Sequence, residues 1–430
     1  MYSCTQLLQA LQNGGCDQAL TAVYAPDGGL EQARRRAIHV TESFLADFPE
    51  NSAPAAGLFS GPGRTEIGGN HTDHQHGHVL CASVGLDLLA CAAPNEINRI
   101  RIHSEGYPAL EVALDDLAVK PEEANTSAAL VRGVAAKIAE LGYSLRGFDA
   151  YAVSNVLSGS GLSSSAAYEI LIGNILNRFF CNGALNSVEL AKIGQFAENV
   201  YFGKPCGLMD QMGASVGGAI SIDFADPAAP VLEKADYDFS QSGHALCIVD
   251  TGSCHADLTG DYADITFEMC AVAAHFGKTV LREVPEADFR AAIPTLRKTC
   301  GDRAVLRALH FYDDDRCAVQ EARALKAGDF SAFLALVNAS GISSALHLQN
   351  TWSITAPKEQ AIPMALAIGR ELLGGTGAIR VHGGGFAGTI QAFVPNEKLN
   401  EFKIGMESLL GPGMCHVLRI RPQGGCTVVY

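Results

Sequence analysis

Residues 158–167, which read SGSGLSSSAA, decide the fold of this chain. The preceding segment, 148–157, alternates in the manner of a strand, and apolar residues recur every three or four positions over 168–179. This order predicts a strand, a Gly/Ser loop and an amphipathic helix. Because small residues let backbone N–H groups converge and the N-terminus of a helix is partially positive, the unit is suited to binding an anion such as a triphosphate.

Two other interpretations of this loop have to be weighed. A Walker A loop is excluded because no Lys-Ser or Lys-Thr pair follows the glycines. An ordinary serine N-cap beside a glycine-rich turn is compatible with residues 158–167 taken alone. Further motifs are needed to choose between an anion site and a simple helix start.

Composition limits the classes of function that the chain can serve. A length of 430 residues predicts two domains, and 48% hydrophobic with 18% charged residues indicates a compact enzyme. A net charge of −15 argues against nucleic-acid partners. Thirteen cysteines without a CxxC pair indicate free thiols, which predicts a cytoplasmic protein. We find no stretch suited to spanning a bilayer and therefore expect no membrane partner.

Three motifs together resemble the GHMP family of small-molecule kinases. Residues 63–73, GRTEIGGNHTD, are similar to the sugar signature of its galactokinase branch. Residues 158–167 resemble the second motif of the family, and residues 383–388, GGGFAG, resemble the third. The motifs occur in the order of the family, and the resemblance spans roughly residues 40–430.

The resemblance implies an α+β fold with two GHMP kinase domains. The N-terminal domain would hold a mixed sheet with a left-handed βαβ crossover, and the C-terminal domain would be ferredoxin-like. We place a helical N-terminal extension at residues 1–40, the N-terminal kinase domain at 41–242 and the C-terminal kinase domain at 243–430. An active site between the two domains is expected.

By the same resemblance, the protein is expected to be an ATP-dependent kinase for the C1 hydroxyl of galactose, with Mg²⁺ as the metal. Arg64 would be the cation near the transferring phosphate, and Asp210, within CGLMDQ at 206–211, the carboxylate at the C1 hydroxyl. Ser165 and Glu198 would hold Mg²⁺. The expected nucleotide-binding residues are Gly159, Ser160, Gly161, Leu162, Ser163, Ser164, Ser165 and Ala166. We expect a monomer or a weak homo-oligomer.

The residues expected at the sugar include one departure from the galactokinase pattern. The contacts implied are Asn70, His71, Asp73, Gly207 and Tyr262. Most galactokinases have Glu at the position of Asn70 and Tyr at that of His74, and the glutamate usually meets the 6-hydroxyl. A neutral amide would tolerate a changed C6 group, so galacturonate stays open as an alternative substrate. A non-catalytic sugar sensor is the other alternative, although residues 163–167 are intact.

Two further classes compete for individual motifs. Residues 383–388 also spell G-x-G-x-x-G, but a strand-like segment, 389–394, follows where a dinucleotide fold needs a helix. Residues 63–78 are dense in Gly, His and Asp, which predicts a place outside the core, and a zinc site at His71, Asp73, His74, His76 and His78 is the alternative to sugar binding. Without the motifs, Asp210 would be an ordinary acid at a helix N-terminus and Glu198 a solvated helix charge.

Overall fold

Two β-sheets and thirteen α-helices make up the part of the chain that the structure describes. The structure is a computed structural model that describes residues 1–24, 29–51, 55–156, 161–204, 206–253 and 258–430. The helices are α1 (Cys4–Gln12), α2 (Asp17–Tyr24), α3 (Leu30–Asp47), α4 (Ser127–Glu140), α5 (Ser164–Phe180), α6 (Ser187–Phe196), α7 (Met209–Val216), α8 (Thr259–His275), α9 (Glu286–Thr299), α10 (Asp302–Lys326), α11 (Phe330–Ser343), α12 (Ala361–Leu373) and α13 (Leu399–Leu410). The strands are β1 (Gly57–Gly68), β2 (His78–Pro94), β3 (Arg99–Ser104), β4 (Leu110–Ala113), β5 (Phe148–Ser154), β6 (Ala219–Asp223), β7 (Val231–Ala235), β8 (His244–Asp250), β9 (Ala378–His382), β10 (Thr389–Pro395), β11 (Cys415–Leu418) and β12 (Cys426–Val429).

The larger sheet is built around the long strand β2. Its strand order is β12-β1-β2-β5-β3-β4, and β6 joins the first half of β2 and carries β7 at its free edge. The strands β3 and β5 are parallel and are connected through β4 and α4, whereas the other pairs are antiparallel. The mixed sheet of the expected fold is therefore present.

The smaller sheet has the order β11-β8-β10-β9 and is antiparallel throughout. Helices α12 and α13 pack against it and bury apolar side chains such as Phe402 and Met406. The final strand β12 returns to the larger sheet and pairs with β1. The predicted unit 243–430 thus contributes its last strand to the sheet of the unit before it, and the predicted domain boundaries stay predictions.

The strand and the helix predicted on either side of the Gly/Ser loop are confirmed as β5 and α5. Helix α5 runs through the core, where every residue from Ala166 to Asn177 is buried and the helix packs on β1. The helix predicted over 188–202 is present as α6, which continues as a π-helical turn at Ala197–Phe202. The predicted positions Gly159 and Ser160 lie outside the described residues.

The sequence predicted no membrane-spanning stretch, but one helical segment has the length and apolar composition of such a stretch. Residues Phe330–Leu348, which comprise α11 and a π-helical turn, are long and apolar enough by composition to cross a membrane. The segment packs against α10 and β9 and buries Phe333 and Val337. A single helix of this kind is weak support for a membrane span, because the core helices of globular proteins have the same composition.

Helices α2 and α3 are joined to the larger sheet by a buried carboxylate, Asp87 of β2. The Tyr24 hydroxyl donates to Asp87 Oδ2 at 2.7 Å, and the guanidinium of Arg36 donates to Oδ1. Arg421, near the C-terminus, donates to Oδ2 at 3.2 Å. Burial by itself raises the pKa of Asp87, but the two arginines hold that pKa below its usual value. The ends of the chain therefore meet at one charged centre.

We expect Asp87→Asn to reduce the free energy of unfolding by about 3–5 kcal/mol, because it leaves two arginines beside a neutral amide. Urea unfolding at pH 7 measures the loss, and Glu111→Gln at the exposed Arg99 ion pair is the control, with a smaller effect. Because the folded state lowers the pKa of Asp87, the difference from the wild-type protein should shrink as the pH falls below about 4. An equal loss in both variants would contradict the role of Asp87.

Candidate active site

The N-terminus of α5 is prepared to receive an anion. Ser163 is the N-cap, with a left-handed backbone at φ 53°, but its hydroxyl makes no capping bond to the helix. That hydroxyl donates instead to Asp210 Oδ2, so the first N–H groups of α5 have no acceptor from the cap side chain. Gly161 lies against His382 of β9, and a Cβ there would approach His382 Nδ1 to 3.0 Å. Gly161 therefore lies between the start of α5, where the helix dipole is positive, and β9 of the smaller sheet.

A buried ion pair stands beside this helix start. Arg64, on β1, approaches Asp210 Oδ1 through Nη2 at 2.6 Å and Nε at 2.8 Å, and its Nη1 donates to the Gly161 carbonyl. Asp210 is in the first turn of α7, and its side chain is 23% exposed. Burial raises the pKa of Asp210, but Arg64 and the Ser163 hydroxyl lower it more, so the carboxylate is ionised at neutral pH. An ionised, partly open carboxylate can accept a hydrogen bond from a substrate hydroxyl.

The two residues expected to hold a metal also meet. The Ser165 hydroxyl donates to Glu198 Oε1 at 3.1 Å, and Glu198 is only 1% exposed. Gln211 donates to Glu198 Oε2 at 2.7 Å and to Glu169 Oε2 at 3.0 Å. A hydroxyl and a carboxylate are the hard oxygen donors that Mg²⁺ prefers, and one or two protein ligands suffice when phosphates supply others. The residues present therefore fit Mg²⁺.

Glu169 completes this corner of the site. It lies one helical turn after Ser165 on α5, and burial followed by the nearby charge of Glu198 raises its pKa well above the usual value. Its Oε1 is buried without a hydrogen-bond partner among the described residues. The raised pKa favours the neutral form of Glu169 beside Glu198.

Four of the five predicted sugar contacts form two close pairs. Gly207 faces Asp73, since a Cβ at Gly207 would lie 2.1 Å from Asp73 Oδ2. The rings of His71 and Tyr262 stack with centroids 6.4 Å apart. Burial, and then the neighbouring His74, lower the pKa of His71 to about 4, so this imidazole is neutral. Only glycine at position 207 leaves room for the Asp73 carboxylate.

The structure corrects the placement of Asn70, which the sequence assigned to the C6 end of a sugar. Its side chain is fully buried, and Nδ2 donates to Glu66 Oε1 at 2.9 Å and to the Gly383 carbonyl at 2.7 Å. Its Oδ1 accepts from Asn350 Nδ2 at 2.8 Å and from the Ser344 hydroxyl at 3.3 Å. Every polar atom of the amide is used inside the protein, so Asn70 fastens the signature loop to the glycine loop 383–385 instead.

The prediction that residues 63–78 lie outside the core is wrong for several polar members. The buried ones include Arg64, Glu66, Asn70, Thr72 and Gln75. Burial is possible because distant partners satisfy them: Arg380 Nη2 lies 2.7 Å from Glu66 Oε1, and Leu281 N donates to Gln75 Oε1 at 2.9 Å. Burial dominates over these partners at Glu66 and raises its pKa to about 7.

The histidines of this segment point to separate partners. His71 Nε2 donates to the Gly384 carbonyl at 2.9 Å, while His78 contacts Asp315 at 3.0 Å and Asp223 at 3.2 Å. Arg282 lies beside the same two aspartates, so they are already paired with a cation. Among the described residues, no group of three or more His, Cys, Asp or Glu side chains could hold a metal ion.

Sequence reasoning missed residues that support the site. Gln211 lies within the motif at 206–211 and could have been found there, and Glu169 lies one turn after Ser165 on the same helix face. Asn350 has no local signal, because it follows a helix in an irregular segment and acts only through contacts with Asn70 and the Gly384 carbonyl. Lys204, whose Nζ lies 3.4 Å from Glu198 Oε1, was also missed.

Comparisons with known proteins agree on the kind of protein to which this chain is similar. Residues 42–94 match the galactokinase galactose-binding signature, and residues 129–218 match the GHMP kinases N terminal domain. A galactokinase of Streptomyces coelicolor (strain ATCC BAA-471 / A3(2) / M145) is 30% identical over 339 residues, which are 78% of this chain and 84% of that protein.

Solved structures share the fold. The crystal structure of Lactococcus lactis galactokinase complexed with galactose superposes with a TM-score of 0.76 at 23% identity, covering 90% of this chain and 99% of that one. The mevalonate kinase of Methanococcus jannaschii gives a TM-score of 0.61 at 15% identity, covering 85% and 98%. The expected two-domain α+β fold is confirmed.

We expect Asn70→Ala to reduce the free energy of unfolding by about 1–3 kcal/mol, because Glu66, the Gly383 carbonyl and Asn350 each lose a buried partner. Chemical denaturation measures this loss. The control is Gln18→Ala, which removes an exposed amide from α2. If Asn70→Ala is as stable as the wild-type protein, the Asn70 amide does not hold the signature loop to the glycine loop 383–385.

Proposed function

The chain belongs to the galactokinase family of the GHMP kinases, and we propose that it transfers the γ-phosphoryl group of ATP to the C1 hydroxyl of galactose. The observation that carries this proposal is the Arg64–Asp210 pair. Asp210 accepts from Ser163 at an uncapped helix N-terminus, which is suited to phosphates, and it follows Gly207, whose neighbour Asp73 is suited to a sugar. A reacting hydroxyl and a reacting phosphate would meet at this pair.

Asp210 is assigned to the C1 hydroxyl of the sugar. Its ionised carboxylate would accept the hydrogen bond of that hydroxyl and take its proton as the new O–P bond forms. A carboxylate with a lowered pKa is a weak base, and a loose transition state for phosphoryl transfer requires little activation of the nucleophile. The lowered pKa of Asp210 therefore supports a carboxylate that first orients the C1 hydroxyl and takes its proton late in the transfer.

Arg64 is assigned to the charge on the transferring group. Its guanidinium is held by Asp210 and the Gly161 carbonyl, so it is positioned before substrates bind. Such preorganised charge lowers the barrier because no reorganisation is needed during the reaction. The N–H groups at the start of α5, with Ser164, Ser165 and Ala166, would bind the phosphates of ATP.

Ser165 and Glu198 are proposed to hold Mg²⁺. When bound, the ion would neutralise charge on the phosphate oxygens. Gln211 fixes the orientation of Glu198 by donating to its second oxygen, and the raised pKa of Glu169 keeps a second negative charge away.

Specificity is assigned to Asp73 and His71. Asp73 would accept hydrogen bonds from the 3- and 4-hydroxyls, and Tyr262 and Gly207 would shape the pocket around them. Because Asn70 is buried with all its polar atoms paired, it supplies no reason to expect relaxed recognition at C6. We therefore do not propose galacturonate as the substrate or a sugar sensor as the function. Each corresponds to one outcome of the sugar panel described below.

The cellular setting is also a proposal. The cysteines among the described residues are free thiols, even where Cys4 Sγ and Cys91 Sγ lie 3.7 Å apart. Free thiols at such distances suit the reducing cytoplasm. We propose a cytoplasmic enzyme that acts as a monomer or a weak homo-oligomer.

We expect Asp210→Asn to lower kcat by about 10²- to 10⁴-fold, because the amide can orient the hydroxyl but cannot accept its proton. Steady-state kinetics with galactose measure the loss, and a far-ultraviolet spectrum checks the fold. Asp226→Asn, at an exposed loop aspartate, is the matched control and should behave like the wild-type enzyme. Near wild-type turnover in Asp210→Asn would remove Asp210 from the reaction.

The function itself is tested with a panel of sugars. We expect kcat/KM to be highest for galactose and much lower for glucose, because Asp73 is assigned to the axial 4-hydroxyl. Galacturonate should be a poor substrate. If ATP is consumed with galacturonate but not with galactose, galacturonate replaces galactose as the proposed substrate. If galactose binds and no ATP is consumed, the sugar-sensor alternative is supported.

Chelation of the metal should abolish the activity, and added Mg²⁺ should restore it.

A further inference from the structure

Lys204 brings a second cation to the place where phosphates are expected. It lies just beyond the π-helical turn at Ala197–Phe202, and its Nζ is 3.4 Å from Glu198 Oε1. The Ser165 hydroxyl, in the first turn of α5, donates to the same oxygen. The ammonium and the start of α5 therefore share one carboxylate oxygen.

The contact between Lys204 and Glu198 is too weak to contribute much to the stability of the fold. The distance of 3.4 Å is long for an ammonium and a carboxylate, and the side chain of Lys204 is 60% exposed. Exposed ion pairs contribute little to folding. Glu198 moreover has closer partners in Gln211 and Ser165. The lysine can leave without disturbing the carboxylate.

The surrounding charge explains why a mobile cation would be useful. Glu198 and Asp210 are two carboxylates close to the nucleotide cradle, and Arg64 is committed to Asp210. A triphosphate arriving here meets negative charge that one guanidinium does not balance. Lysine, with a flexible stem and three donors, can move between a carboxylate and a phosphate oxygen.

We propose that Lys204 is a nucleotide-binding residue, whose ammonium rests on Glu198 in the free protein and moves to the terminal phosphate oxygens of a bound nucleoside triphosphate. The ligand class is a nucleoside triphosphate with its divalent cation, so the inference rests on the proposed kinase function. The lysine supplies positive charge to the phosphates in addition to Arg64. With Mg²⁺ held by Ser165 and Glu198, the ammonium would be free to make this contact.

The test measures binding without turnover. Isothermal titration calorimetry with Mg²⁺ and a non-hydrolysable ATP analogue is carried out on the wild-type protein, Lys204→Met, Lys204→Arg and Lys192→Met. Lys192 is the matched control, because it lies on α6 and its Nζ donates to the Ala228 carbonyl, away from Glu198. We expect Lys204→Met to weaken binding about tenfold, as expected for the loss of one charge-assisted hydrogen bond.

The other variants separate the possible explanations. Lys204→Arg should restore most of the affinity, because it keeps the charge, and Lys192→Met should bind like the wild-type protein. Thermal unfolding without ligand should be the same for Lys204→Met and the wild-type protein. Should Lys204→Met misfold, Lys204→Gln replaces it.

Two outcomes would overturn the proposal, and they are distinguishable. Equal affinity in Lys204→Met and the wild-type protein would make Lys204 merely a partner of Glu198, while the proposed kinase function would stand. Failure of the wild-type protein to bind the analogue would overturn the kinase function and the role of Lys204 together.

Discussion

The ion pair between Arg64 and Asp210 joins the parts of the site that come from different places in the sequence. Arg64 belongs to β1 of the larger sheet, and Asp210 to the first turn of α7. The same pair reaches the loop before α5, since Arg64 donates to the Gly161 carbonyl and Asp210 accepts from the Ser163 hydroxyl. Loss of the Asp210 charge would leave the buried Arg64 without its partner, which is costly. Sheet, loop and helix are thus held in one arrangement by the two groups to which we assign the reaction.

The glycine loop of the smaller sheet is held in an equally specific way. The carbonyls of residues 383–385 accept hydrogen bonds, in chain order, from Asn70, His71 and the Tyr262 hydroxyl. The strand before this loop contacts the loop of α5 through His382. The proposed sugar side and phosphate side of the site therefore both contact one segment, His382 to Gly385.

Much of this arrangement could be predicted because the signals are local. The strand and helix around residues 158–167 follow from periodicity, and the resemblance of local motifs is what led us to propose roles for Arg64 and Asp210. The place of Asn70 could not be predicted, because it is decided by Asn350 and Gly383, which are far away in the sequence. Lys204 could not be predicted as a site residue either, because it is a single lysine that belongs to no sequence pattern. Distant polar partners also explain why a segment rich in charged and amide side chains could be buried.

If the sugar binds with its anomeric hydroxyl at Asp210, beside the start of α5, the phosphoryl group is transferred to C1. The ³¹P and ¹³C nuclear magnetic resonance spectra of the product formed from [1-¹³C]galactose and ATP show which carbon carries the phosphate. We expect phosphorus coupling to C1 and one ADP for each sugar phosphate formed. Coupling to C6 instead, or release of inorganic phosphate without a sugar phosphate, would contradict this placement of the sugar.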